Sequence, residues 1–241
     1  MGKREISDKE LVHEKLGDEF EKALSQYDTA RRVEVLIGEF LDADLSGKRV
    51  LDVGCGLGFF SKALVDKGAE VVAFDLGAQL VERTKELCGC EGVVGDVFEL
   101  DTYFEKDHFD LIVSSECIEH TPDPNLAIQK MASVLRPGGY VSLSTPNTVW
   151  WPVVKLATVV KFRPFDGLEN FSSWRSLKKA IRDSNMQVME MKGLHLFPFH
   201  FGFHDLSRWM DGNLQILNGL MMNLCILAQK REKSDEATKP T

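Results

Sequence analysis

Short apolar runs recur along the chain, and between them lie stretches whose apolar positions repeat every three to four residues. The runs at 49–53, 70–74, 92–94, 109–114, 139–145, 187–193 and 223–229 read as strands. Helical periodicity marks 59–67, 77–86, 124–134 and 173–184. One more helix precedes the first strand, where Val33, Val35, Leu36, Ile37, Phe40 and Leu41 punctuate 28–41. Strand and helix in alternation predict an α/β fold: a doubly wound, mainly parallel seven-stranded sheet, helices on both faces, and a ligand at the carboxyl ends of the strands. Three stretches stand outside that rhythm: N-terminal helices over 1–45, an insertion over 148–172, and a polar tail over 231–241.

Composition narrows the picture. The 241 residues fit one α/β domain, read here as 1–230, with additions. Lys and Arg total 29 against 37 Asp and Glu, a net charge of −8, which disfavours a nucleic-acid partner because phosphate binding needs a basic surface. Five cysteines, an odd count, read as reduced thiols of the cytoplasm rather than a disulfide framework. The charged start has no apolar core of signal-peptide length, so export is not expected.

The chemistry begins at residues 50–58, VLDVGCGLG, an apolar strand running into three alternating glycines. Gly54, Gly56 and Gly58 remove the Cβ atoms that would keep a ligand off the backbone and permit a tight strand-to-helix turn. A dinucleotide fingerprint would read G-x-G-x-x-G and offer a helix N-terminus to a pyrophosphate. Here the spacing is G-x-G-x-G, position 59 is Phe, and Asp52 would repel phosphate but attract an ammonium or sulfonium. S-adenosylmethionine carries both cations and no phosphate. The second strand ends in Asp75, about 20 residues beyond the glycines, where a carboxylate can accept hydrogen bonds from both ribose hydroxyls. Asp96 follows the third strand, placed to take the adenine amino group.

VLDVGCGLG, VVAFD, GDVF, FDLIVSSECIEH and LRPGGYVSLSTPN, in that order, resemble the class I S-adenosylmethionine-dependent methyltransferases over roughly residues 30 to 147. Within them the chain is most similar to the ubiquinone-biosynthesis O-methyltransferases, through ECIEH followed by TPDP, through STPN, and through GLH at 193–195. The resemblance implies a Rossmann-like sheet whose last strand is antiparallel, and S-adenosylmethionine held by Asp52, Gly54, Cys55, Gly56, Gly58, Asp75, Leu76, Asp96, Val97 and Ser115. It also implies an arginine on the preceding helix for the cofactor's carboxylate, either Arg31 or Arg32, with Arg32 preferred.

Methyl transfer from a sulfonium needs an aligned, unprotonated acceptor, and a phenol of pKa about 10 is only about a thousandth ionised at neutral pH. Glu116, Glu119 and His120 stand at i, i+3 and i+4, so a helical turn after the fourth strand would point all three to one side. Such a trio can hold Mg²⁺ or another divalent cation, as the resemblance implies for its E-x-x-E-H pattern. Alternatively His120, with Glu119, acts as the base, or His120 is a packing residue. His195 in GLH is a second base candidate.

Residues 149–165, VWWPVVKLATVVKFRPF, pair two tryptophans with three positive charges in a segment too short and too charged to span a bilayer. They read as a lid over the acceptor or as an interfacial helix touching a membrane. Phe197, Phe199, Phe201 and Phe203 alternate as one face of an extended segment would. The expectation is a cytoplasmic O-methyltransferase, peripheral to the membrane if 149–165 is the interfacial helix, acting on a hydrophobic or aromatic small-molecule acceptor, quinone-precursor or catechol-like. An N- or C-methyltransferase and a non-catalytic cofactor-binding protein are the alternatives.

Overall fold

A computed structural model describes residues 6–7, 10, 25–159, 167–197 and 202–232. Most of the N-terminal segment, residues 160–166 of the insertion, the Phe199 and Phe201 positions and the tail from 233 lie outside the described residues.

The chain enters through α1 (Gln26–Val33), capped by Ser25, whose side chain accepts from the Asp28 N–H. It continues as a π-helical stretch, Glu34–Glu39, so the single helix read over 28–41 is two kinds of turn. Here Ser142 of the sheet donates to the Leu36 carbonyl at 2.8 Å and Lys67 to that of Ile37, giving carbonyls of this stretch polar partners. There follow β1 (Arg49–Val53), α2 (Phe59–Asp66), β2 (Glu70–Asp75), α3 (Ala78–Cys88), β3 (Glu91–Val94), the short α4 (Leu100–Tyr103) and β4 (Phe109–Ser115). Next come α5 (Pro124–Val134), β5 (Leu135–Pro146), α6 (Trp151–Val159), α7 (Trp174–Asp183), β6 (Met186–Leu194), α8 (His204–Asn213) and β7 (Asn223–Lys230). Asp123 starts α5 by accepting from the N–H groups of Asn125 and Leu126, with Pro124 in the first turn, where its missing N–H costs nothing.

The sheet order is β3-β2-β1-β4-β5-β7-β6. Strands β1 to β5 pair in parallel, and β7 slots between β5 and β6, antiparallel to both. The expected architecture is therefore present: seven strands, mainly parallel, the last one reversed. Alternate side chains divide the core. Leu51, Val53, Val72 and Phe74 face α5 and α7 through Ile128, Met131, Leu177 and Ile181. Val50, Val71, Leu111 and Val113 face α2 and the π-helical stretch through Phe60, Leu64, Val35 and Leu36.

Two elements differ from the sequence reading. Strand β5 starts four residues early, at Leu135, because Gly138 (φ +75°) lets the chain bulge, so that its register on β4 jumps between Phe109 and Leu111. A helix, α8, follows the aromatic run: Phe203 sits at its N-terminus, and the Phe197 and Phe203 rings meet edge-on at 6.0 Å.

Candidate active site

The carboxyl ends of β1, β2, β4 and β5 share one rim of the sheet, as parallel pairing requires. At the end of β1 the backbone turns through Gly54 (φ +77°), Gly56 (φ +51°) and Gly58 (φ +84°), all in the left-handed region that favours glycine. The turn is anchored to β2, since the N–H groups of Gly54 and Cys55 both donate to the Phe74 carbonyl at 2.8 and 3.1 Å. A Cβ at position 54 would lie 2.5 Å from the Cys117 sulfur and 2.6 Å from its Cβ, so glycine is needed for space as well as for conformation.

Asp75 ties the turn together. Its two oxygens accept from the N–H groups of Gly56 (3.0 Å) and Gly77 (2.9 Å). Asp52 is only 1% exposed, lies beneath the turn and accepts from the Ser61 hydroxyl at 2.6 Å. Burial pushes its carboxyl up to about 7, the nearby charge of Asp75 adding and the Ser61 bond opposing. Asp96 caps a short turn at the end of β3, accepting from the Phe98 N–H at 3.0 Å. Val97 is buried against the core beside it, Leu76 follows Asp75, and Cys55 is buried within the glycine turn.

The two arginines of α1 separate cleanly. Arg32 reaches the rim: its Nη1 donates to Ser115 Oγ at 2.6 Å, while Nε and Nη2 donate to Asp28 Oδ2 at 3.1 and 2.8 Å. Arg31 turns aside to Glu34, which also pairs with Arg208. Burial alone would raise the Asp28 carboxyl, but Arg32 and His195 override it and hold it at about 2.

The predicted common face of Glu116, Glu119 and His120 does not form. Ile118–His120 make one tight turn, but Glu116 precedes it with a left-handed backbone (φ +51°). Glu116 accepts from Ser144 at 2.9 Å and Glu119 from Thr145 at 3.2 Å, and those two neighbours on β5 project to opposite faces of the sheet. Among the described residues no three His, Cys, Asp or Glu side chains gather as metal ligands. Glu119 and His120 do stay together: Glu119 Oε1, buried and without a hydrogen-bond partner, lies 3.8 Å from His120 Nε2. Burial drives the Glu119 carboxyl well above its usual range, and the charge of Glu116 adds to the effect. Burial also raises Glu116, against the pull of Arg32. A carboxyl group with high proton affinity and one oxygen lacking a donor can take a proton from an acceptor hydroxyl, or help hold a cation.

The return limb of the insertion closes over this turn. His120 Nδ1 meets the Leu168 carbonyl at 2.8 Å, Asn170 N–H donates to the Glu119 carbonyl, and the Asn170 amide donates to that of Thr121. His195 is not a base at the rim. Fully buried, it hydrogen-bonds to Asp28 at 2.9 Å. Sequence reading also missed Ser61, Ser144, Thr145 and Asp28. Hydroxyls inside β5, an otherwise apolar buried strand, were the available signal for two of them.

A family model described as Methyltransferase domain matches residues 25–191. The chain is 31% identical over 189 residues to a ubiquinone biosynthesis O-methyltransferase of Hahella chejuensis, covering 73% of this chain and 79% of that one. It is 39% identical over 167 residues to the protein of that name from Xanthomonas oryzae pv. oryzae, covering 65% and 70%. A crystal structure of an S-adenosylmethionine-dependent methyltransferase from Mesorhizobium loti superposes with a TM-score of 0.63 at 19% identity, over 82% of this chain and 98% of that one, a likeness of fold. With a glycine turn and acidic strand ends on the rim that this fold uses for its ligand, the chain belongs to the methyltransferase-domain family and is an S-adenosylmethionine-dependent methyltransferase.

Proposed function

We propose that the enzyme transfers the methyl group to a hydroxyl oxygen of a hydrophobic, aromatic small molecule, quinone-precursor or catechol-like. The observation that carries this reading is Glu119, buried at 1% exposure on the rim, with an unpartnered oxygen beside His120. An amine acceptor that arrives neutral needs no proton acceptor, whereas a phenol of pKa about 10 does. The names of the relatives from Hahella chejuensis and Xanthomonas oryzae point the same way.

In this reading the glycine turn lets the cofactor lie against the backbone, Asp75 accepts from its ribose hydroxyls, Asp96 meets the adenine amino group, and Arg32 with Ser115 receives the carboxylate end. S-adenosylmethionine supplies an activated methyl group on a sulfonium, so the protein's work is alignment and exclusion of water. Glu119 takes the acceptor's proton, and Thr145 fixes its carboxyl group by donating to the other oxygen. A divalent cation fits Glu119 and His120 as a pair, with Glu116 held away by Ser144. Mg²⁺ commonly uses one or two protein carboxylates and keeps waters, and it would supply Lewis acidity that lowers the acceptor's pKa.

The acceptor's route is proposed along α6. Val153, Leu156 and Val159 of that helix are exposed, Val159 at 70%, and the Trp150 indole donates to the Leu220 carbonyl, bringing the exposed Leu217 and Leu220 alongside. Lys155 stacks its ammonium 4.4 Å from the centre of the Trp151 ring. No helix among the described residues is long and apolar enough to cross a membrane, but an apolar helix with Trp and Lys suits its surface. A cytoplasmic enzyme touching the membrane through this face goes with the reading. Incubation with methyl-labelled cofactor and a catechol panel, followed by mass spectrometry, tests it: O-methyl products are expected. Methylation confined to amines or carbon would overturn it, and a chelator arm separates Glu119 acting alone from Glu119 acting through a cation.

A further inference from the structure

One buried polar cluster is not used by the chemistry above. His195 follows β6 with a left-handed backbone (φ +62°), strained for a residue with a side chain and maintained only where the surroundings over-determine it. Those surroundings are specific. Gly193, two residues earlier, is gripped by Gln215, which accepts from its N–H at 3.1 Å and donates to its carbonyl at 3.0 Å. Asp211 of α8 accepts from the Leu196 N–H at 3.0 Å and sets a carboxylate oxygen 4.0 Å from His195 Nδ1. On the other side of the ring, Nε2 donates to Asp28 Oδ1 at 2.9 Å.

Asp28 is the hinge of this arrangement. One oxygen takes the imidazole, and the other takes Nε and Nη2 of Arg32, whose remaining Nη1 reaches Ser115. Asp211, His195, Asp28, Arg32 and Ser115 thus form one line from α8 to the rim. Two more contacts tie α8 to the N-terminal helical segment: Tyr27 of α1 stacks on His204 at 4.0 Å, with its hydroxyl donating to the His204 carbonyl, and Arg208 pairs with Glu34 at the start of the π-helical stretch. A guanidinium on a four-bond stem loses its orientation easily, and Asp28 supplies the two shortest bonds on one side of Arg32, with Thr29 Oγ1 a longer third at 3.5 Å. We propose that His195 is a positioning residue, which aims Arg32 at the carboxylate end of the cofactor by locking Asp28 from behind, with Asp211 steadying the imidazole from α8.

This rests on the reading of Arg32 as the carboxylate's partner, and the experiment separates the two. Two ligands are titrated by calorimetry into the full chain: S-adenosylhomocysteine, and 5′-methylthioadenosine, which keeps the nucleoside and sulfur but lacks the amino-acid end. His195→Gln is expected to weaken S-adenosylhomocysteine about tenfold, equivalent to about 1.4 kcal/mol, and to leave 5′-methylthioadenosine unchanged. Arg32→Ala should show the same selectivity more strongly, and adding His195→Gln to it should cost nothing further. Equal weakening of both ligands in His195→Gln, or no weakening of either, overturns the positioning role. Equal loss of both in Arg32→Ala overturns the carboxylate reading, and the proposal falls with it. Should His195→Gln not fold, Asp28→Asn on α1 decides by the same selectivity.

Discussion

Asp52→Asn tests the electrostatics beneath the glycine turn. The carboxyl is 1% exposed, and its Ser61 bond of 2.6 Å does not offset burial, so its pKa rises from 3.8 to about 7. The folded protein therefore holds a proton here that the unfolded chain has released. Between those two values the folded state binds more protons, so stability from this group is full below about 4 and is lost as pH rises through about 7. At ~1.36 kcal/mol per pH unit the interval sets an upper bound of about 4 kcal/mol. A change of 1 kcal/mol moves the Tm of a chain this size by about 2–4 °C. Asparagine does not titrate, whatever constant offset its amide introduces. Thermal unfolding of the ligand-free protein from pH 5 to pH 8 should thus show the variant gaining on the wild type by about 5–10 °C across the range. A difference in Tm that stays flat with pH would refute the burial argument.

Gly54→Ala combines a left-handed backbone with a Cβ 2.6 Å from that of Cys117; it should cost about 2–5 kcal/mol in chemical unfolding, with Cys117→Gly restoring part of the loss. Glu119→Gln should lower kcat by about 10²–10⁴-fold while cofactor affinity by calorimetry is retained. The wild-type rate should rise with pH through the raised carboxyl, since the base must be ionised, and that limb should vanish from the variant's profile. Leu156→Glu with Val159→Glu should abolish co-sedimentation with anionic vesicles without moving Tm by more than about 2 °C, because both side chains are exposed. Unchanged sedimentation would remove α6 from the membrane reading.

What could be read from the chain alone follows the range of each interaction. The glycine turn and Asp75 were legible because a strand, a turn and the next strand lie within some 25 residues, and parallel pairing then brings Asp75 to the Gly56 N–H. Glu116 was misplaced because helical spacing was assumed through a position that takes a left-handed backbone, packed against β5 by tertiary contacts. The bond from Ser61 on α2 to Asp52 was not legible, because it depends on how α2 packs back on β1. His195 and Asp28 are 167 residues apart, and nothing local announces a pairing made only when β6 closes the sheet beside β7. Arg32 was preferred over Arg31 from the sequence, and the two contacts differ because adjacent positions on a helix diverge by about 100° in direction: Arg32 meets Ser115 and Arg31 meets Glu34.

Calorimetric titration of S-adenosylhomocysteine into the wild type and Asp75→Ala tests the assignment of the rim most directly. One site per chain is expected in the wild type, with Asp75→Ala weakening it at least about tenfold, a loss of about 1.4 kcal/mol or more for hydrogen bonds to a charged acceptor. Equal affinity in the two proteins would contradict the placement of the cofactor at the ends of β1 and β2.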